Sequence, residues 1–207
     1  MFELSEEAKI LKKTMREFVD KEIIPVARNI DDEDRYPKEI VDKLVKLGLF
    51  GMYLDEEYGG GGMDFLSYVV AVEELSRGMS CIGTIMSVQN TLYGSNIHDY
   101  GTEEQKEEYL PDLADGKRFG CFALTEPDAG SDMASMTTTA IKDGSDYVLN
   151  GNKIFITMGD VADVAIVFAK TEPKAAHRGI SVFILERDME GFIVGKNIRK
   201  LGGYGVN

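Results

Sequence analysis

"MTTTAIKDGSDYVLNGNKIFIT", residues 136–157, is where the chain changes from helical to strand periodicity. β-Branched and apolar side chains alternate here, and alternation places every second residue on one face of a strand. The Lys142-Asp143-Gly144-Ser145 run is a turn, and Asn150-Gly151 is a hairpin signal. Downstream, "DVAIVFAK" (163–170) and "GISVFILE" (179–186) read as further strands. Upstream of Lys117 the apolar residues instead recur at helical spacing. Helices first and strands second, without β-α-β alternation, predict an α+β fold. Residues 1–117 are therefore expected to form a helical domain and 118–207 a β-domain that continues past Asn207.

In the first half, Ala8, Leu11, Met15, Phe18, Glu22 and Val26 track one side of a helix that Pro25 is expected to kink or end. A second helix is predicted from Pro37 to about Gly48, with Ile40, Leu44 and Leu47 as its apolar stripe. Asp64 is the N-cap of a third, over 65–77. Before it, "DEEYGGGGMDF" (55–65) has four consecutive glycines but no Lys-Ser/Thr after them, so it reads as a flexible link rather than a phosphate loop. The stretch Ile82 to Ile97 holds Gly83, Thr84, Ser87, Gln89, Asn90 and Thr91. It is a buried helix of unusual polarity and so a candidate pocket wall, with Ser87 its candidate substrate contact. Ordinary packing through small residues would read the same. Thr102 to Gln105 forms a capping box for a short helix expected to stop near Pro111.

The chain has 207 residues, 43% hydrophobic, and a net charge of −13, which sets it against nucleic acid and anionic membranes as partners. No apolar run reaches the roughly 20 residues of a membrane helix. The acidic start "MFELSEEAKI" is unlike a signal or transit peptide. Cys81 and Cys121 suffice for neither a disulfide framework nor a typical zinc site. A soluble, cytoplasmic protein without a metal is the expectation. His98 and His177 are far apart in sequence and read as solvated. The acidic runs "NIDDEDRY" and "GTEEQKEEY" read as solvated faces.

Two segments remain for chemistry. "FALTEPDAGSDM" (122–133) sets the apolar Phe122, Ala123 and Leu124 against a corner rigidified by Pro127 and opened by Gly130. "KIFITMG" (153–159) is expected to end an apolar strand at Phe155, Ile156 and Thr157. Both segments put a threonine hydroxyl at a strand end, at Thr125 and Thr157. Side by side, they would offer hydroxyls, free amides and an aromatic face to a flat heterocycle. Gly130 and Ser131 would suit a phosphate. A hairpin edge rich in threonine has the same pattern.

The chain resembles the acyl-CoA dehydrogenase family. The resemblance rests on "LGLFGMYLDEEYGGGGMDFLSYVVAVEELSR" (47–77), "YGTEEQKEEYLPDLADGKRFGCFALTEPDAGSDM" (100–133) and "LNGNKIFIT" (149–157), in that order. It implies a helical domain, a β-barrel-like middle domain, and a C-terminal four-helix bundle missing from this chain. It also implies FAD. The strand Phe122-Ala123-Leu124-Thr125 would lie along the flavin ring, with Thr125 bonded to its pyrimidine edge. Gly130 and Ser131 would meet the pyrophosphate, Ser131 also lying near the CoA portion of the substrate. Phe155, where many relatives carry tryptophan, would stand against the ring beside Ile156, and Thr157 would bond near N5. The implied activity is α,β-dehydrogenation of an acyl-CoA thioester in fatty acid metabolism, by a homotetramer passing electrons to an electron-transferring flavoprotein. A flavin oxidase or monooxygenase would share both flavin segments, and the segment alone could be a non-catalytic interaction module. The family's catalytic carboxylate belongs to the C-terminal domain, so the base is expected beyond Asn207. No catalytic residue is therefore assigned within the chain, and Glu126 and Asp128 are read as structural members of the turn.

Overall fold

In the computed structural model, which describes residues 3–206, helices occupy the chain as far as Ala114 and a mixed sheet follows. Met1 and Asn207, the outer limits of the two expected domains, lie outside the described residues, as does the expected continuation of the β-domain past Asn207. Two compact units divide the chain. The first runs to Phe119 and includes Arg199–Val206; the second is Gly120–Ile198. Residues 199–206 lie within the 118–207 stretch expected as the β-domain and pack with the first unit. They are held locally by the Gly205 amide, which donates to Asp34 Oδ1 at 3.1 Å.

In the helical unit, α1 (Glu6–Phe18) opens on Ser5, whose hydroxyl accepts the Ala8 amide at 3.1 Å. Glu6 and Glu7 in its first turn face the positive end of the helix dipole. The predicted stripe is displaced along the chain: the buried residues are Ala8, Met15, Val19, Ile23 and Ile30. A π turn, Val19–Ile23, is the cause, because its wider winding shifts the register of every residue after it. Nor does the chain stop being helical at Pro25, which sits in the first turn of α2 (Ile24–Glu33). The π turn has already broken the regular ladder there, so the missing amide is tolerated.

Helix α3 (Lys38–Lys46) follows Pro37 and buries Ile40, Val41 and Leu44. Leu47 falls outside the helix, just before Gly48 turns the chain with φ 68°, and is 48% exposed rather than part of the stripe. Helix α4 (Phe65–Gly78) starts at Asp64, whose carboxylate accepts the Ser67 amide at 2.8 Å.

The four-glycine link is tightly built, not loose. The Gly61 amide donates to Gly51 O, that of Gly62 to Leu54 O, and that of Met63 to Met52 O, at 3.0 to 3.1 Å. Gly60 packs so closely that a Cβ there would collide with the Leu54 carbonyl. Glycine is required by this approach, not by a phosphate.

Helix α5 (Ser80–Ser87) continues through a second π turn, Val88–Gly94, into α6 (Ser95–Tyr100). Helix α7 (Glu103–Ala114) carries the predicted capping box between Thr102 and Gln105. It runs past Pro111 instead of stopping there. The carbonyl that Pro111 cannot serve belongs to exposed Glu107, where it is open to solvent.

The second unit has five strands: β1 (Gly120–Ala123), β2 (Thr139–Asp143), β3 (Asp146–Asn150), β4 (Val164–Lys170) and β5 (Ile180–Glu186). β4 is central. It runs parallel to β1 from the pair Gly120–Val164 and antiparallel to β5 from the pair Val164–Glu186. At Lys170 it also meets Thr139 of β2, which pairs antiparallel with β3 across the turn predicted at 142–145. Val164, Ala165, Ile166 and Val167 are all buried, as expected for a strand covered on both faces. The sheet curls enough that Tyr147 of β3 meets Phe183 of β5 edge-on, with ring centroids 5.3 Å apart. No backbone pairing joins those two strands among the described residues.

One predicted strand is absent. Residues 151–157 form no strand, and Asn150-Gly151 does not turn a hairpin. Gly151 packs where a Cβ would collide with the Thr138 hydroxyl, and Phe155 and Met158 take φ of 59° and 65°. Left-handed residues cannot continue a strand.

Candidate functional site

Strand β1 delivers Phe122 and Ala123, and the chain then leaves the sheet through Leu124 and Thr125. The corner that follows is closed by a reciprocal pair of backbone bonds. The Glu126 amide donates to Ala129 O at 2.8 Å and the Ala129 amide returns to Glu126 O at 3.2 Å. Gly130 and Ser131 emerge from it exposed, and neither amide has a partner among the described residues. Nothing lies within 4 Å of a Cβ built on Gly130.

The loop 151–157 lies directly beside the end of β1. The Ile154 amide donates to Thr125 O at 2.9 Å, and Lys153 Nζ donates to Leu124 O at 3.0 Å. Two segments distant in sequence are thereby juxtaposed, although one of them is a loop and not the strand end that the sequence suggested. Phe155 is 70% exposed. Thr125 and Thr157 are half-buried, and neither hydroxyl has a hydrogen-bond partner among the described residues. Ile156 is half-buried, and Met158, the next residue after Thr157, is fully buried.

Glu126 organises this region. It is 4% exposed and pairs with Lys153 at 2.8 Å. Its other bonds come from the Thr137 amide (2.6 Å), the Thr137 hydroxyl (2.8 Å) and the Thr138 amide (3.0 Å). Burial pushes this carboxyl up, but the Lys153 ammonium and the donors of Thr137 and Thr138 outweigh it and hold the pKa at about 2. Glu126 is thus ionised at neutral pH, with its oxygens committed. Asp128 is exposed, and its main-chain oxygen accepts the Ser135 hydroxyl at 3.4 Å. Sequence reading placed Glu126 in the turn but missed Lys153 and the two threonines that hold it. The available signal was a lysine inside the otherwise apolar "KIFIT".

These features suit a planar, hydrogen-bonding ring with a phosphate tail. An exposed aromatic ring and two hydroxyls without partners among the described residues lie on the two adjoining segments, and free amides project from an open glycine corner. Among the described residues no group of acidic, cysteine and histidine side chains is arranged to hold a metal.

Ser87 belongs to the helical unit. It is half-buried, and its hydroxyl lies 3.5 Å from that of Thr91. The polarity of its helix is largely structural. Asn90 is fully buried, accepts the Met52 amide at 2.9 Å, and donates to the carbonyls of Leu49 and Met86, both at 2.9 Å. Asn90 pins the 49–52 turn. His98, read as solvated from sequence, is bonded to Asp99 at 2.8 Å and Asp55 at 3.0 Å.

Two family models match the chain: the N-terminal domain of acyl-CoA dehydrogenase over residues 5–117, and its middle domain over 121–207. A short-chain specific acyl-CoA dehydrogenase of Clostridium acetobutylicum is 45% identical over 97% of this chain and 53% of its own length. A chain in the structure of an electron transferring flavoprotein of Acidaminococcus fermentans, described for flavin-based electron bifurcation, superposes with TM-score 0.95. It is 42% identical, covering all of this chain and 54% of that one. A glutaryl-CoA dehydrogenase from Mycobacterium smegmatis, in complex with FADH2, gives TM-score 0.91 and 40% identity over 98% of this chain and 51% of its own. The chain spans about half the length of the curated relatives it matches.

Proposed function

Because the chain belongs to the acyl-CoA dehydrogenase family, we propose that its protein is an FAD-dependent enzyme that oxidises an acyl-CoA thioester to the enoyl-CoA. A short acyl chain is favoured by the short-chain specific relative of C. acetobutylicum. An electron-transferring flavoprotein is the proposed acceptor, supported by the A. fermentans likeness. FAD is supported by the M. smegmatis relative with bound FADH2. A homotetramer in the cytoplasm completes the reading. Two buried, unpaired cysteines, Cys81 and Cys121, accord with a reducing compartment.

The observation that carries this is the juxtaposition of Thr125 with Ile154, which brings two unpartnered threonine hydroxyls and an exposed Phe155 into one unit. Bound FAD would supply the hydride-accepting centre. Thr125 and Thr157 would offer hydrogen bonds to the ring edge, and Thr157 those near N5. Phe122, Ala123, Leu124, Phe155 and Ile156 would supply apolar contact, with Phe155 against the ring. Gly130 and Ser131 would direct amides and a hydroxyl at the pyrophosphate, with Ser131 and Ser87 toward the substrate.

The α-proton requires a carboxylate able to accept it. Glu126 is buried, paired and held at a pKa of about 2, so it is a poor base. The base is assigned to no residue of 3–206, and the position expected for it, beyond Asn207, lies outside the described residues.

The test is rapid mixing of the FAD-loaded protein with butyryl-CoA, following loss of flavin absorbance. Bleaching is expected, slowed about tenfold in Thr157→Ala by loss of one hydrogen bond to the accepting centre. An unchanged rate would remove Thr157 from the site. No bleaching with any acyl-CoA would remove the activity, and stoichiometric oxygen consumption during turnover would favour an oxidase.

A further inference from the structure

Residues 124–126 and 151–157 meet without a sheet ladder between them. Among the described residues one backbone bond joins them, from the Ile154 amide to Thr125 O. Against this sparse main-chain link, one carboxylate gathers three segments. Glu126 Oε1 accepts from Lys153 Nζ and the Thr138 amide, and Oε2 accepts from the amide and hydroxyl of Thr137. Lys153 closes the arrangement by also donating to Leu124 O at 3.0 Å.

We infer that the Glu126–Lys153 pair is a positioning element for the cofactor: it clamps the 151–157 loop against the end of β1, and so fixes Thr125, Phe155 and Thr157 in one mutual arrangement. The inference rests on the flavin reading of this site. Two observations give the pair this role rather than a purely scaffolding one. Phe155, two residues beyond Lys153, has φ 59° and an exposed ring. A bulky residue in that conformation persists only where its surroundings over-determine it, and strain of this kind concentrates at ligand sites. Lys153 and Ile154, the two residues before it, are bonded to Leu124 O and Thr125 O, just past the end of β1. A second constraint lies at the loop's start, where Gly151 is packed against Thr138, the residue that bonds Glu126. Both ends of the path into Phe155 thus lead back to the same carboxylate.

Neither residue is expected to touch substrate. The pair would act through the loop it holds.

The experiment uses the full-length protein, with and without FAD, and the variants Glu126→Gln, Lys153→Met and Lys153→Arg. FAD affinity is read by fluorescence titration, and anchoring by hydrogen exchange at the Ile154 amide in the apoprotein. Glu126→Gln and Lys153→Met should each weaken FAD binding about tenfold or more, and speed Ile154 exchange to a similar degree. Amides of β4 from Val164 to Val167 should keep their protection. Lys153→Arg, which keeps the cation, should stay within about threefold of wild type. If Glu126→Gln does not fold, Thr137→Val removes a single bond to the carboxylate and should produce a smaller loss in both readouts.

Faster Ile154 exchange with unchanged FAD affinity would reduce the pair to scaffolding and overturn the inference. Unchanged exchange in Lys153→Met would overturn it as well, with or without FAD. A wild-type protein that takes up no FAD would overturn the flavin reading, while Ile154 exchange would still decide whether the clamp exists.

Discussion

Glu74 and Glu126 are both buried carboxylates held by cations, and they serve opposite kinds of architecture. Glu74, fully buried on α4, receives Arg16 of α1 at 2.7 Å and Arg77 of its own helix at 2.9 Å. It bridges two helices that already satisfy their own backbones and pack through an apolar stripe. Glu126 bridges segments that satisfy little by themselves, and two of its four donors are backbone amides. In the helical unit a buried charge reinforces a shape set by packing. In the β unit it substitutes for missing main-chain pairing, and that is where the proposed cofactor segment lies. The difference teaches where removing a charge should alter function rather than stability alone.

The largest effect should come from Lys153→Met, which leaves Glu126 buried without its cation. Breaking one side of a buried pair costs about 3–5 kcal/mol, and denaturant unfolding monitored in the β unit would read it. A loss below about 1 kcal/mol would remove the contrast with Glu74. Glu74→Gln should cost less, about 1–2 kcal/mol, because Arg16 and Arg77 are partly exposed and regain water. FAD affinity should be unchanged in that variant; a tenfold loss would erase the distinction between the two regions.

Acid should reveal the same pair of carboxylates. Glu126 is held at about 2, below its ordinary 4.5, against the opposing effect of burial. Glu74 is also lowered, chiefly by its bond to Arg16, then against burial with help from Arg77. Depressed carboxyls contribute stability that is complete above about pH 4.5 and lost as pH falls through the folded value. Urea melts at pH 6 and pH 3 should show a partial loss in wild type and a smaller one in Glu126→Gln. Equal losses would mean that Glu126 is not the group being protonated.

The smallest effect belongs to His98, whose pKa is raised by Asp99 first and then by Asp55. A raised histidine contributes fully below its unfolded value of 6.5 and loses that contribution as pH rises through its folded value. Stability should fall by less than about 1 kcal/mol between pH 6 and pH 9, and His98→Gln should flatten the change. A steeper fall in the variant would assign the dependence elsewhere.

Periodicity disclosed the large elements because burial enforces it. The switch from period 3.6 to period 2 gave the order of helices and strands, and Asp64 and Thr102 announced their helices through local capping chemistry that tertiary packing does not override. What sequence hid was local geometry chosen by distant neighbours. The π turn at Val19–Ile23 absorbs Pro25 and shifts the buried face, and nothing in "FVDKEIIPV" marks it. "KIFIT" has strand composition, yet Gly151 packed on Thr138 and the left-handed Phe155 make it a loop. The candidate site was legible as residue types in two segments. Its organising pair was not, because Lys153 and Glu126 lie 27 positions apart and neither spacing nor period connects them.

The end of β1 and the loop 151–157 are proposed to form one flavin-binding surface. An FAD-bound crystal structure of the full-length protein tests it most directly. The isoalloxazine should lie against Phe155 with the Thr125 and Thr157 hydroxyls within hydrogen-bond reach of its edge, and the pyrophosphate at Gly130 and Ser131. A flavin bound elsewhere, or one bound here with both threonine hydroxyls turned away, would contradict the account.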